Sequence, residues 1–573
     1  MGNKFTHDWY ETVRNYTVRL VNIRGISPHQ TENNVARTVL DLLTEEDFAD
    51  AYTSVGLDPL ENDSYQRHNV FAFLRGESKR TLVLLGHFDT VDTQDYGSLE
   101  PWALDPAALA ERQEELLALV PELRADLEAY PGDWMFGRGS IDMKSGVAAN
   151  IAVMRRLAEK ARTATLPISI VMLATPDEEN ESAGVLQAVR FLLRLRQQYN
   201  LTYLGAINTD YTTSLYPNDP HRYINSGTVG KLLPSFLIVG KEAHVGEPFQ
   251  GVDANLLAAE LIRDLSMNDA LCDVVRSSNK TQDVQDVQVT PPPVTLRASD
   301  LKTHYDVQLP FAAYFYLNVL TFTTTPSELL GRLQYRALTV MSNILKRLDM
   351  TELRWNRTKY SAVASRKPSK RGIGSGVMTY AELYAEAVEE HGEAVVEQEL
   401  AQEWERWPTA LDKRERSLHL VHRLWTVSGK QGPAIIIYYS PPYYPHVAPT
   451  GGPLHDAIAA VIAEHPHLNL VQQSYYPFIS DMSYLRLDPG ADLTALKDNM
   501  PVWQDVDARL DTPVRPGAYH LPFKDIQELG LPIVNFGPYG FGAHQRGERA
   551  LMSYSFGVLP QLLYETIEAI AGL

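Results

Sequence analysis

Among 573 residues there is one cysteine, Cys272. No disulfide can form within the chain, and the composition suits a reducing compartment, which predicts a cytoplasmic protein. Positive charge is also scarce: 52 lysines and arginines face 71 aspartates and glutamates, a formal net charge of −19. That balance is the wrong sign for tracking a phosphate backbone, so no nucleic-acid partner is expected. No uncharged apolar run reaches the roughly 18 residues of a membrane span, and no membrane partner is expected. The opening "MGNKFTHDWYETVRNY" lacks the apolar stretch of a signal peptide. Internal repeats and low-complexity tracts are missing too.

Apolar residues are plentiful, 44% of the chain, enough to fill the cores of two or more domains. In the first 215 residues short apolar runs alternate with helical patterns. "TLVLLG" (81–86), "PISIVMLA" (167–174) and "YLGAIN" (203–208) end in polar residues, as buried parallel strands do. "KSGVAANIAVMRRLAEKA" and "SAGVLQAVRFLLRLRQQY" read as the helices between them. The rhythm predicts an α/β domain, a mixed sheet flanked by helices with its site at the strands' carboxyl ends. "DPAALAERQEELLALVPELRADLEAYPGD" reads as a charged helical insertion on the surface.

Residues 216–448 have a different texture, with strands such as "AAYFYLNVLTFTTT" and "GPAIIIYYSPPYYP" and a long helix, "PSELLGRLQYRALTVMSNILKRLD". They predict an α+β domain inserted into the first one. Residues 351–432 enlarge it with charged helices and a basic loop, "RTKYSAVASRKPSKR". The loop reads as solvated, with anion binding as the alternative. From "GGPLHDAIAAVIAEH" onward α/β character returns, so residues 1–215 and 449–573 are expected to form one domain.

Polar residues cluster at the strand ends. "LVLLGHFDTV" places His87 just past a strand with Asp89 two residues on; "FGRGSIDMKSG" places Asp142 in a glycine-rich turn; "TPDEEN" supplies Glu178 and Glu179. "INTDYTT" supplies Asp210 and "GFGAHQRGE" supplies His544. Singly, each reads as a cap or a satisfied partner. Together, on one α/β sheet, they lie along one edge. Carboxylates this close repel one another unless a cation sits among them, and imidazole mixed with carboxylate suits zinc, manganese or cobalt. "GRGS" and "GFGAH" are not phosphate loops, since no "GK[ST]" follows.

In order and spacing, "GHFDTV", "GRGSIDMKSG", "TPDEEN", "NTD" and "GAHQRGE" resemble the five metal-site motifs of the M20 metallopeptidases. The helical insertion, the enlarged lid and "ISDMSYLRLDPGAD" are most similar to the RocB-type arginine-utilisation proteins of that family. The resemblance implies a hydrolase that cleaves an amide or peptide bond of a small amino-acid-derived substrate with a metal-activated water. It implies two divalent ions per chain, zinc with manganese or cobalt as substitutes. His87 and Asp210 would hold one ion, Glu179 and His544 the other, and Asp142 both. Glu178 would be the general base. Asp89 would fix the His87 tautomer, the alternative being a turn cap. The inserted domain would be the family's lid, through which a homodimer could form.

In the lid, "GKEAHVGEPFQGVDAN" resembles the family's histidine–proline–glycine–asparagine motif, here His244, Pro248, Gly251 and Asn255. His244 would stabilise the oxyanion, whereas its spacing alone suggests a partly buried strand residue. Asp481 of "ISDMSYL" is a candidate substrate residue, a helix N-cap being the other reading. Many family members carry a carboxylate-clamping arginine on the second lid strand. Here "LNVLTFTTTPSELL" has threonines instead, which puts a carboxypeptidase-like substrate in doubt unless the basic loop supplies an arginine. A degenerate relative that binds without turnover is the alternative function, disfavoured because every ligand position and the base are present.

Overall fold

The apolar runs at the start of the chain pair into one mixed sheet of eight strands. Its order is Ser54–Pro59, His68–Leu74, Ser169–Thr175, Arg80–His87, Thr202–Asn208, Ile533–Asn535, Arg222–Asn225 and Leu470–Gln473. Arg80–His87 runs parallel to both its neighbours, while His68–Leu74 joins antiparallel. Ser169–Thr175 is buried at every position, as befits a strand covered on both faces. Helix Lys144–Ala161 is buried along nearly its whole length and packs against helices His7–Val21 and Leu559–Gly572. Ala148, Ala149 and Ala152 keep that helix thin enough for close approach.

A second, three-stranded sheet joins distant parts of the chain: Gly540–Phe541, Arg549–Leu551 and Trp134–Phe136. The charged insertion that precedes Trp134–Phe136 is helical and mostly exposed, as expected, but it is anchored inward. It forms three short helices, Pro106–Glu111, Gln113–Leu119 and Leu123–Ala129, and Leu109, Leu116 and Leu123 are buried in the main core. One leucine per helix is enough to turn a polar segment inward.

The computed structural model describes residues 7–276, 287–359, 376–505 and 515–572. It divides into two compact units. Among the described residues, one unit holds those up to Val229, Val447–Asp488 and those from Pro522 on; the other holds Gly230–His446 and Pro489–Leu521. Sequence reading placed the junctions at 215/216 and 448/449 and kept 489–521 with the first domain. Asn499 is one of the residues that tie that segment to the second unit. Its backbone carbonyl accepts from the Tyr439 N–H (2.7 Å) and its side-chain Oδ1 from the Ala381 N–H (3.0 Å), both in the second unit.

The second unit is built on a five-stranded sheet in the order Val294–Asp300, Ala312–Thr321, Gly230–Val239, Ala434–Tyr444 and Gly376–Thr379. Phe236 and Phe315 stack across neighbouring strands with ring centroids 4.5 Å apart. The threonine turn of "LNVLTFTTTPSELL" wraps an acid. Asp273 Oδ2 accepts from the N–H groups of Phe322, Thr323 and Thr324, and Oδ1 from the Thr324 hydroxyl. Those bonds hold the entry to the long helix Pro326–Lys359. Residues 360–375, most of the basic loop, lie outside the described residues. No helix among the described residues is long and apolar enough to cross a membrane.

Candidate metal centre

Two parallel strands deliver the first residues. His87 ends its strand in register with Thr175, the last residue of the neighbouring strand, so His87 lies beside the start of the "PDEEN" turn. Asp210 follows Thr202–Asn208 by two residues. Asn535 holds its backbone on both sides, Oδ1 accepting from the Asp210 N–H and Nδ2 donating to its carbonyl. The chain must pass very close here: a Cβ on Gly537 would lie 1.8 Å from the Asp210 carbonyl oxygen. The three-stranded sheet delivers the rest. Phe136 pairs with Arg549 and Gly540 with Ala550, so the turns bearing Asp142 and His544 leave the same small sheet. Gly139, at φ +80°, permits the first of those turns.

These turns converge. His87 Nε2 is 3.1 Å from Asp142 Oδ1; His544 Nε2 is 3.3 Å from Asp142 Oδ2 and 2.9 Å from Glu179 Oε1. Two triads result, His87–Asp142–Asp210 and Asp142–Glu179–His544, and within each the ligand atoms lie within 4.8 Å of one another. Asp142 belongs to both. Glu178 belongs to neither, its Oε2 standing 3.9 Å from His87 Nε2. Asp89 is fully buried 3.4 Å from His87 Nδ1, longer than a well-formed hydrogen bond. Its two oxygens accept from the N–H groups of Glu178 and Glu179. It therefore caps the turn, and it sits behind the histidine.

Burial sets the electrostatics. It pushes Asp210 up to about 8, with the Asp142 charge adding to it, and raises Glu179 in the same way. Glu178 is held well above the usual carboxylate range by burial and by the charges of Glu179, Asp481 and Asp210, against the pull of His87. For Asp142 burial is outweighed by hydrogen bonds from His544 and His87, and its carboxyl falls below the ordinary range. Burial would lower His544, yet Asp142 and Glu179 drive it up to about 11. Crowded, dehydrated carboxylates beside two imidazoles form a donor set that divalent cations neutralise and that suits zinc or its neighbours.

Asp177, the first acid of the "DEE" run, is not part of the cluster. It pairs with Arg67, and its Oδ2 accepts from the Ala183 N–H at the start of helix Ala183–Tyr199. Glu548, the last residue of "GAHQRGE", accepts from the N–H groups of Ile141 and Asp142 and from Arg138 Nη1. Its place in the quoted motif was its one sequence signal; Arg67 had none. Asp481 is buried, with Oδ2 accepting from the Thr175 hydroxyl and Oδ1 without a hydrogen bond. It is not an N-cap, because Ser480 occupies that position.

The second unit carries the other two candidates. His244 is exposed, with Nδ1 accepting from the Gly246 N–H, so the partly buried spacer is not what the structure shows. Asn255 is also exposed, in the first turn of helix Ala254–Leu265, and donates to Asp300 Oδ2. A cavity of about 600 Å³, lined by Tyr380, Trp404, Trp503 and neighbours, lies in this unit and includes none of the motif residues.

The chain is similar to known proteins. The chain is 33% identical over 500 residues to the uncharacterized protein YqjN of Bacillus subtilis, covering 86% of this chain and 84% of that one. It is 30% identical over 574 residues to protein RocB of the same organism, covering 97% and 94%. The dipeptidase Dug1p of Saccharomyces cerevisiae has a similar fold, with a TM-score of 0.50 at 11% identity over 99% of this chain and 97% of that one. Residues 83–495 match peptidase family M20/M25/M40. The chain belongs to that family, and it is a metallohydrolase of the M20 type.

Proposed function

We propose that the protein is a dinuclear metal-dependent hydrolase that cleaves an amide or peptide bond in a small amino-acid-derived substrate. The observation that carries this reading is the Asp142 carboxylate, which presents one oxygen to His87 and the other to His544. His87 and Asp210 would hold one divalent ion, Glu179 and His544 the other, with Asp142 shared and zinc the ion assigned. When bound, such a pair supplies Lewis acidity and brings the pKa of water towards neutrality.

The chain's own residues supply the rest. Glu178 stands outside both triads and close to His87, with a proton affinity raised by burial. That suits a group that takes a proton from water and passes it to the leaving nitrogen. Asp89, 3.4 Å behind the His87 ring, would orient it so that Nε2 faces the cluster. The free Oδ1 of Asp481 is assigned to the substrate side. The inserted unit is assigned as the lid, with Asn255 among its substrate contacts. His244 would donate to the developing oxyanion, within one chain or across a homodimer. Similarity to the RocB type supports a place in amino-acid breakdown linked to arginine.

The test is metal analysis of the purified protein, then a screen of metal-replete enzyme against N-acyl amino acids and dipeptides. Two ions per chain and hydrolysis are expected. A protein without bound ions would overturn the reading; ions without any hydrolysis would favour a non-catalytic binder.

A further inference from the structure

The "DEE" turn is held from two sides. Asp89 grips the N–H groups of Glu178 and Glu179 on one side. On the other stands Arg67, nearly fully buried, whose guanidinium faces three acids. Nη1 reaches Asp177 Oδ1 and, at 3.3 Å, Glu32 Oε1; Nε and Nη2 fork onto Asp63, the latter at 2.9 Å. Asp177 Oδ1 also accepts from the Ser27 hydroxyl (3.0 Å). Asp177 itself has a φ of +72°, an unfavourable conformation for a non-glycine residue that persists only where its surroundings enforce it.

Three consecutive acids thus face different partners. We propose that Arg67 is a positioning residue of the metal-binding turn: it draws the Asp177 carboxylate out of the cluster and fixes the backbone from which Glu178 and Glu179 project. The proposal rests on Glu179 being a metal ligand, as read above. A forked guanidinium is required, because it must hold Asp63 with one edge and Asp177 with the other. Arg67 touches no reacting atom and acts through Asp177.

The rival is a general brace for the fold, whose loss would lower stability and leave the metal affinity of any folded protein intact. Zinc-loaded full-length chain is titrated with a graded chelator, and thermal unfolding is followed in parallel, for wild type, Arg67→Lys and Asp177→Asn. Lysine keeps the charge but not the fork. Asparagine keeps the size and one acceptor, so it serves if the lysine variant does not fold. One of the two zinc ions is expected to be lost about 10- to 100-fold more readily in a folded variant. In the substrate screen kcat should fall with KM little changed. Folded variants that hold both ions with wild-type affinity would overturn the positioning role alone. A wild type that takes up no zinc would overturn the dinuclear reading and this proposal with it.

Discussion

At the scale of single residues, the proposed roles of two neighbouring glutamates separate chemistry from binding. Glu178→Gln keeps size and hydrogen bonding but removes the proposed base, so turnover should fall by about two to four orders of magnitude with metal content unchanged. Glu179→Gln should lose metal as well as rate, since Glu179 Oε1 lies 2.9 Å from His544 Nε2 within a triad. Metal analysis beside kinetics tells the two apart, and the reverse pattern would show base and ligand exchanged. Proton bookkeeping gives a second test. In the metal-free protein burial raises Asp210 to about 8, and its carboxylates raise His544 to about 11, so both hold protons at pH 7. Ligands must shed protons to bind a cation. Metal affinity should therefore rise with pH between 6 and 8, and titration calorimetry in buffers of different ionisation enthalpy should show proton release. Uptake without proton release would contradict the protonation states.

At the scale of elements, the turn into helix Pro326–Lys359 depends on one acid. Asp273 is buried and accepts four hydrogen bonds. Burial alone would raise its carboxyl, but the backbone bonds of Thr323 and Thr324 hold it below the usual range. A depressed carboxylate contributes stability above its unfolded-state pKa and loses it as pH falls through the folded value. Asp273→Ala should cost the second unit about 1–3 kcal/mol at neutral pH. The difference from wild type should shrink in acid, as chemical denaturation at pH 7 and below pH 4 would reveal. An equal deficit at both would mean the charge is irrelevant. The element-level reading of the sequence was strongest for long periodic segments and weakest for the insertion after residue 105. There a single leucine per short helix decides burial, and no periodicity can build up.

At the scale of the whole molecule, Asn499 ties a late segment to residues far back in the chain. Asn499→Ala removes the side-chain acceptor of the part-buried Ala381 N–H and should destabilise the second unit by about 0.5–1.5 kcal/mol. A thermal unfolding midpoint equal to wild type would show the tie to be dispensable. His244→Ala tests the proposed lid. Turnover should fall by about two orders of magnitude, the worth of one oxyanion donor, while metal content and unfolding stay unchanged. Unaltered turnover would remove His244 from the mechanism.

The sequence by itself determined the class of fold and pointed to the candidate ligand positions that the structure brings together. Apolar runs that end in His87, the "DEE" turn and Asp210 form neighbouring strands, and parallel strands place their carboxyl ends along one edge, so candidate ligands far apart in the chain meet by the logic of the sheet. Tertiary structure alone decided how adjacent like residues divide. Asp177, Glu178 and Glu179 are equivalent as letters, and only the approach of Arg67 from another loop and of His544 from the small sheet assigns each a different partner. The same holds for the described part of Pro489–Leu521, which groups with the second unit and is tied to it by long-range hydrogen bonds such as those of Asn499. Local patterns encode periodicity and turn chemistry; which distant groups satisfy a buried charge or an unpaired N–H is settled only when the chain has closed on itself.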